Sequence, residues 1–264
     1  MNHKKRLFFG LLLGGFVFRL FLAFGAYDPL VFDAKGYSDV AIQFLKGEWP
    51  IDCCAKNVGY GAFLALVYKL FGVENIAAVR LVHIGIDLVS AWLIYRIARE
   101  LFQPKAAMLS FIVYLFNPFT SAFTGLVLAE TFSIFLLVLL LFFVTRKRWF
   151  TVGIVAGLLL FTRHSFYYVL PVLFIMLGWK HVKVLGFLIV GFLLASSYSL
   201  IVNYKTFGKI SLVPPYNLKY EIIYLNFYRW KYPEVEFQGE LPEYGQVVQS
   251  YWNTPLEGKA AHSE

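Results

Sequence analysis

The chain has 264 residues, of which 59% are hydrophobic and only 15% are charged, and its mean hydropathy is +0.64. Soluble domains contain about 45–50% apolar and about 25% charged residues, so this composition excludes an ordinary soluble globular domain. The net charge of +8 does not indicate nucleic-acid binding, because the basic residues lie between apolar blocks, as is typical of membrane proteins.

Apolar segments of membrane-spanning length, about 20 residues each, follow one another along the chain. The first is longer than the apolar region of a signal peptide, about 7–15 residues, so we expect an uncleaved span. The long apolar stretch Trp149–Trp179 is interrupted only at Arg163-His164 and predicts two short, tilted spans that turn there. The pattern therefore predicts an all-α polytopic membrane protein with about seven transmembrane helices: Leu7–Tyr27, Ile76–Ala98, Ala106–Thr124, Leu126–Val144, the two halves of Trp149–Trp179, and Val182–Asn203.

Basic residues precede the first predicted span, at Lys4–Arg6, and then occupy every second connection between spans. The basic connections contain Arg96–Lys105, Arg146–Arg148 and Lys180–Lys183. The positive-inside rule then predicts a multi-pass protein of the plasma (inner) membrane, with a cytoplasmic N-terminus and an extracytoplasmic C-terminus. We expect a membrane module over residues 1–203, an outer loop over 28–75, and a short extracytoplasmic segment over 204–264.

The outer loop contains a predicted amphipathic helix over residues 33–46. From Asp33 onward its apolar residues recur at helical spacing, and they are Tyr37, Val40, Ala41, Phe44 and Leu45. The opposite, polar face is predicted to contain Lys35, Ser38, Asp39, Gln43 and Lys46. We expect this helix to lie in the plane of the membrane interface. A second short helix, from Tyr60 to Gly72, is too short to span a bilayer.

Two ionisable residues lie inside the predicted spans. Arg19 is about 12 Å below the outer end of the first span, at 1.5 Å per residue, and Asp87 lies at a similar depth in the second. Ionisable groups in a membrane are costly and are functional candidates by default. We favour the structural interpretation, in which the two residues pair and hold their helices together.

Other polar residues at the outer boundary have a structural interpretation from their position alone. Asp33 could be a helix N-cap, and Glu130 could favour a helix N-terminus electrostatically. Arg163 and His164 could extend to lipid headgroups, where a guanidinium could also bind a lipid phosphate. The adjacent pair Cys53-Cys54 and the scattered histidines lack metal-ligand spacing, so no metal site is predicted.

Asp33, with Tyr37 four residues on and "AIQFLKGEWP" after it, resembles the first outer loop of the GT-C glycosyltransferases. The similarity is to the protein O-mannosyltransferase and aminoarabinose transferase group. It spans roughly residues 7 to 220, in family order, with the segments "GYGAFLALVYKLFG", "AAVRLVHIGIDLVSAWLIYRIARELF", "LAETF", "GIVAGLLLFTRHSF" and "NYKTFGKISLVPPYNL".

This resemblance implies transfer of a sugar from a polyprenyl-phosphate donor to a lipid, glycan or protein acceptor on the outer face of the membrane. It implies Asp33 as the general base, with substrate-binding roles for Tyr37, Arg80, Glu130, Arg163 and His164. No cofactor is required, and a divalent cation between Asp33 and the phosphate remains open. Two other functions are open: a non-catalytic accessory or lipid-binding subunit of the same fold, and a transporter or flippase of lipid-linked sugars.

The alternation of basic connections generates a topology prediction. Reporter domains fused after Lys105, Arg148 and His181 should be cytoplasmic, and one fused after Ile210 should be extracytoplasmic. The physical reason is that short basic loops are retained on the cytoplasmic side. A reporter active only outside the cytoplasm distinguishes the two states, and a cytoplasmic signal after Ile210 would contradict the predicted orientation.

Overall fold

The computed structural model describes residues 3–25, 30, 33–48, 58–178 and 181–212, and these residues form helices and connecting turns. The helices are α1 (His3–Gly25), α2 (Asp33–Leu45), α3 (Gly59–Phe71), α4 (Ile76–Leu101), α5 (Pro104–Leu115), α6 (Pro118–Phe123), α7 (Glu130–Thr145), α8 (Trp149–Thr162), α9 (Val169–Gly178) and α10 (Val182–Phe207), with a 3-10 helix at His164–Tyr167. The expected all-α membrane class is confirmed.

The described residues fall in two compact units, one containing those up to Ser197 and the other those from Tyr198 onward. In the second unit the side-chain amide of Asn203 donates to the carbonyl of Ser211 at 2.8 Å. Cys53 and Cys54 lie outside the described residues, as does the predicted C-terminal segment from residue 213 on.

Three helices of the described part of the chain are long and apolar enough to cross a bilayer. They are Arg6–Gly25, Ile76–Leu101 and Val182–Lys205. The other predicted spans correspond to shorter apolar helices; α7, with 16 residues, extends about 24 Å, less than a hydrocarbon core of about 30 Å. The count of seven spans therefore remains a prediction. The interruption expected at Arg163-His164 is confirmed, because α8 ends at Thr162 and α9 begins at Val169. The reversal of chain direction there remains a prediction.

The segment Ala106–Thr124, expected as one continuous span, is divided into α5 and α6 by Asn117 and Pro118. Pro118 has no N–H, and the side-chain oxygen of Asn117 accepts from the backbone N–H of Phe119 at 2.9 Å. In a continuous helix the Phe119 N–H would instead donate to the carbonyl of Leu115, four residues earlier. The break therefore leaves the Leu115 carbonyl to another donor.

That donor is Arg19, which is fully buried and joins three helices. Its Nη1 donates to the Leu115 carbonyl at 2.6 Å and to the Gly15 carbonyl at 3.1 Å, while its Nε donates to Oδ2 of Asp87 at 2.7 Å. The second oxygen of Asp87 accepts from the hydroxyl of Tyr114 at 2.5 Å. The predicted pairing of Arg19 with Asp87 is confirmed, and it links α1, α4 and α5.

Small residues allow α8 and α10 to pack with their backbones close together. Gly153 and Gly157 on α8, and Gly191 and Ala195 on α10, are each spaced by four, as in the small-xxx-small contacts of membrane helices. A methyl group at Gly153 would overlap the backbone of Leu188 on α10, and one at Gly191 would overlap the backbone of α8. Only glycine fits at these two positions without moving a helix.

The buried ion pair generates a stability prediction. Arg19→Met or Asp87→Leu alone should lower stability by about 3–5 kcal/mol, because each leaves its charged partner unpaired. The double variant should lose less than the sum, since the desolvation cost disappears with the pair. Thermal unfolding in detergent measures all three, and strictly additive losses would contradict the coupling.

The glycine contact generates a second stability prediction with a matched control. Gly153→Ala should destabilise by about 1–3 kcal/mol, because the added methyl forces α8 from α10. Gly186→Ala, on α10, has open space around the new methyl and should be neutral or stabilising by up to about 1 kcal/mol, since alanine favours helix. Thermal unfolding in detergent compares the two variants. Equal changes in stability would show that the close approach of α8 and α10 at Gly153 does not limit the size of the side chain.

Candidate functional site

The candidate site lies at the end of the bundle where α1 ends and α4 begins. A methyl group built on Gly125 would be 2.8 Å from the Cα of Ala23, so the turn before α7 lies directly on the end of α1. Nε of Arg80 donates to the Gly125 carbonyl at 2.8 Å. A methyl group on Gly59 would be 2.8 Å from the backbone nitrogen of Thr162, so α3 begins against the end of α8. Five chain segments therefore meet at this end.

Glu130 and Arg163, which the sequence implicated separately, form an ion pair. Nη1 of Arg163 donates to Oε1 of Glu130 at 2.9 Å. Glu130 is the first residue of α7 and Arg163 follows the last residue of α8, and these consecutive helices pack together. Each charge complements the dipole of its own helix end, a carboxylate at an N-terminus and a cation at a C-terminus.

This ion pair is accessible. The side chains of Arg163 and Glu130 are 41% and 27% exposed, so water or a ligand can reach both. A guanidinium carries five N–H donors in a planar fork, and the contact to Glu130 is made through Nη1. Arg163 can therefore bind an anion on another edge while Glu130 holds its orientation.

Asp33 is the first residue of α2 and is exposed. Tyr37 follows one turn later, and residues four apart share a helix face. The ring of Tyr37 meets that of Tyr60 edge-on, with centroids 4.8 Å apart. Because Tyr60 adjoins Gly59, which lies against Thr162, this aromatic contact connects the start of α2 to the segment that leads to Arg163.

The predicted amphipathic helix is confirmed as α2, but one residue of its polar face is placed differently. Ser38 was expected on the exposed face and is instead fully buried. Its hydroxyl lies 3.1 Å from the hydroxyl of Tyr68 on α3 and donates to Oε1 of Glu74 at 3.1 Å. The contact between α2 and α3 therefore extends beyond the apolar stripe of α2. The buried hydroxyl groups of Ser38 and Tyr68 lie within hydrogen-bond distance of each other in this contact.

The remaining charges of α2 lie at the surface. Nζ of Lys35 is 2.9 Å from Oδ1 of Asp39 and 3.5 Å from Oε1 of Glu74. The hydrogen bond and charge of Asp39, and then the charge of Glu74, raise the pKa of Lys35 above its usual value. Asp39 thus belongs to a surface ion-pair cluster, as expected of a residue on the polar face.

Arg80 has a structural contact in addition to its predicted substrate role. Besides donating to the Gly125 carbonyl, its guanidinium lies 5.7 Å from the centroid of the Phe24 ring. Arg80 therefore holds the turn that leads into Glu130. The backbone of His164 begins the 3-10 helix, but the side chain of His164 lies outside the described part of the structure.

A polar stripe runs along α4 that was not predicted from the sequence. Arg80, His83, Asp87 and Ser90 recur every three or four residues and face the protein, and all but Arg80 are buried. Nε2 of His83 is 3.0 Å from the hydroxyl of Tyr60. The stripe could have been predicted from the sequence, because these four polar residues recur at helical spacing in an otherwise apolar span. Among the described residues no group of three His, Cys, Asp or Glu side chains could hold a metal ion.

The family model for dolichyl-phosphate-mannose-protein mannosyltransferase matches residues 56–202, more than half of the chain. The chain belongs to this family and is a membrane glycosyltransferase of the GT-C type. No curated protein and no solved structure matches the chain. The matched segment contains Arg80, Glu130, Arg163 and His164, whereas Asp33 and Tyr37 precede it.

Proposed function

We propose that the protein transfers a sugar from a polyprenyl-phosphate donor to an acceptor on the extracytoplasmic face of the membrane. The observation that carries the proposal is the accessible ion pair between Arg163 and Glu130. It lies in the family segment and at the end of the bundle that also contains α2. The basic residues Arg96, Arg99 and Arg146 lie at the opposite end, which supports an extracytoplasmic site by the positive-inside rule.

Arg163 binds the donor phosphate in this proposal. A guanidinium binds phosphate through two parallel hydrogen bonds, and Arg163 follows the last residue of α8. Glu130 fixes the guanidinium by its 2.9 Å hydrogen bond. Its carboxylate also accepts hydrogen bonds from sugar hydroxyls. The pair therefore holds the phosphate and the sugar of the donor.

Asp33 acts as the general base. The acceptor oxygen forms a bond to the anomeric carbon, and the bond between that carbon and the phosphate oxygen breaks. The electron pair of the broken bond goes to the polyprenyl phosphate, and the proton of the acceptor goes to the carboxylate of Asp33. Because a phosphate is a good leaving group that needs no protonation by an acid, one carboxylate suffices for the transfer. Tyr37 lies on the same face of α2 as Asp33 and contacts the acceptor in this proposal.

The test of this mechanism compares two exposed carboxylates on the same helix. Asp33→Asn should lower transfer by about 10²- to 10⁴-fold, the usual contribution of a general base, and asparagine keeps the size and shape of the side chain. Asp39→Asn, the matched control, should transfer at nearly the wild-type rate. Radiolabelled dolichyl-phosphate mannose is the donor probe, with membranes of the expressing cells as the source of acceptor.

Donor binding and thermal stability, measured on the same preparations, distinguish the alternatives. Asp33→Asn should keep both, whereas Arg163→Ala should weaken donor binding first. Undiminished transfer by Asp33→Asn would remove Asp33 from the chemistry, and loss of donor binding with that variant would point to a cation between Asp33 and the phosphate. A wild-type protein that binds the donor without transferring the sugar would be a lipid-binding subunit.

A further inference from the structure

A large cavity lies at the end of the bundle opposite the candidate site. Its volume is about 940 Å³, and it is bounded by the start of α1, the end of α4 and the start of α5. Nothing in the proposed glycosyl transfer uses this cavity. Its walls combine aromatic rings with cations. The aromatic residues are Phe9, Trp92 and Tyr95, and the cations are Arg96, Arg99 and Lys105.

The cavity is positively charged. Three cations line it, Arg96, Arg99 and Lys105, against a single acid, Glu100. The carboxylate of Glu100 is already paired with Arg146, which comes from the end of α7. The three lining cations therefore present an excess positive charge to any ligand in the cavity.

Aromatic side chains hold two of these cations in place. The guanidinium of Arg96 lies 5.3 Å from the centroid of the Trp92 ring, within the range of a cation–π contact. Nη1 of Arg99 donates to the hydroxyl of Tyr95 at 3.3 Å. Both arginines are thereby directed along one wall of the cavity, at the level where α4 ends.

An apolar track runs from the cavity along α1. Phe9 is 58% exposed, and exposed apolar side chains continue at intervals of four residues through Leu13, Val17 and Phe21. Residues four apart share a helix face, so this stripe is continuous. A ligand with an anionic head and apolar chains would therefore meet cations at its head and an apolar surface along its chains.

We propose that this cavity binds the headgroup of an anionic phospholipid from the membrane leaflet at this end of the bundle. Arginine and lysine bind the phosphate, the aromatic rings cover the glycerol region, and the acyl chains follow the stripe on α1. Basic pockets between transmembrane helices bind anionic lipid headgroups in this way. The site is independent of the donor chemistry at the other end.

Binding of dioctanoyl phosphatidylglycerol to the purified full chain in neutral detergent tests the proposal, with native mass spectrometry as the readout. Wild-type protein should bind it more tightly than dioctanoyl phosphatidylcholine. Arg96→Gln with Arg99→Gln should weaken binding about 25-fold, since each basic side chain near an anionic lipid contributes about fivefold. Lys147→Gln with Arg148→Gln removes the same charge outside the cavity lining and should leave binding unchanged.

Equal weakening by the two double variants would overturn the proposal, because binding would then follow net charge. Displacement of the lipid by soluble glycerol phosphate at comparable concentration would also overturn it, since the apolar track would contribute nothing. If the double arginine variant does not fold, Lys105→Gln at the exposed start of α5 replaces it. That variant should lose about fivefold, and unchanged affinity would contradict the site.

Discussion

The buried contact between Arg19 and Asp87 fixes the arrangement of three helices, α1, α4 and α5. A guanidinium and a carboxylate without water between them cannot be separated in an apolar environment without a large desolvation cost. The same guanidinium also satisfies the Leu115 carbonyl, which the break at Asn117-Pro118 leaves without its usual helical donor. One side chain thus determines how α1, α4 and α5 are placed along one another.

α4 connects the Arg19–Asp87 contact to the candidate site. Three polar side chains on one face of α4 contact three different segments: Asp87 contacts α1, His83 contacts Tyr60 on α3, and Arg80 contacts the turn at Gly125. Each contact replaces water that the membrane does not supply, so each is costly to break. The turn and α3 are positioned by these contacts, and they in turn position Glu130 and the end of α8.

The two ends of the bundle differ in their charge arrangement. At the candidate site the cation of Arg163 is balanced by Glu130 across 2.9 Å, which orients the guanidinium and limits its net charge. At the opposite end, Arg96, Arg99 and Lys105 share a single acid that is paired elsewhere. A balanced pair suits a ligand that must be released after reaction, whereas an unbalanced cluster suits a resident anionic lipid.

Features that depend on local pattern and on depth in the membrane could be predicted from the sequence. The periodicity of α2, the interruption at Arg163-His164 and the pairing of Arg19 with Asp87 all follow from spacing and from the cost of charge in a membrane. The sequence did not predict that Arg19 donates to the Leu115 carbonyl, that Ser38 is buried, or that Glu130 contacts Arg163. Those outcomes depend on which neighbour covers a helix face and which donor replaces a lost backbone bond, and these partners are distant in the chain.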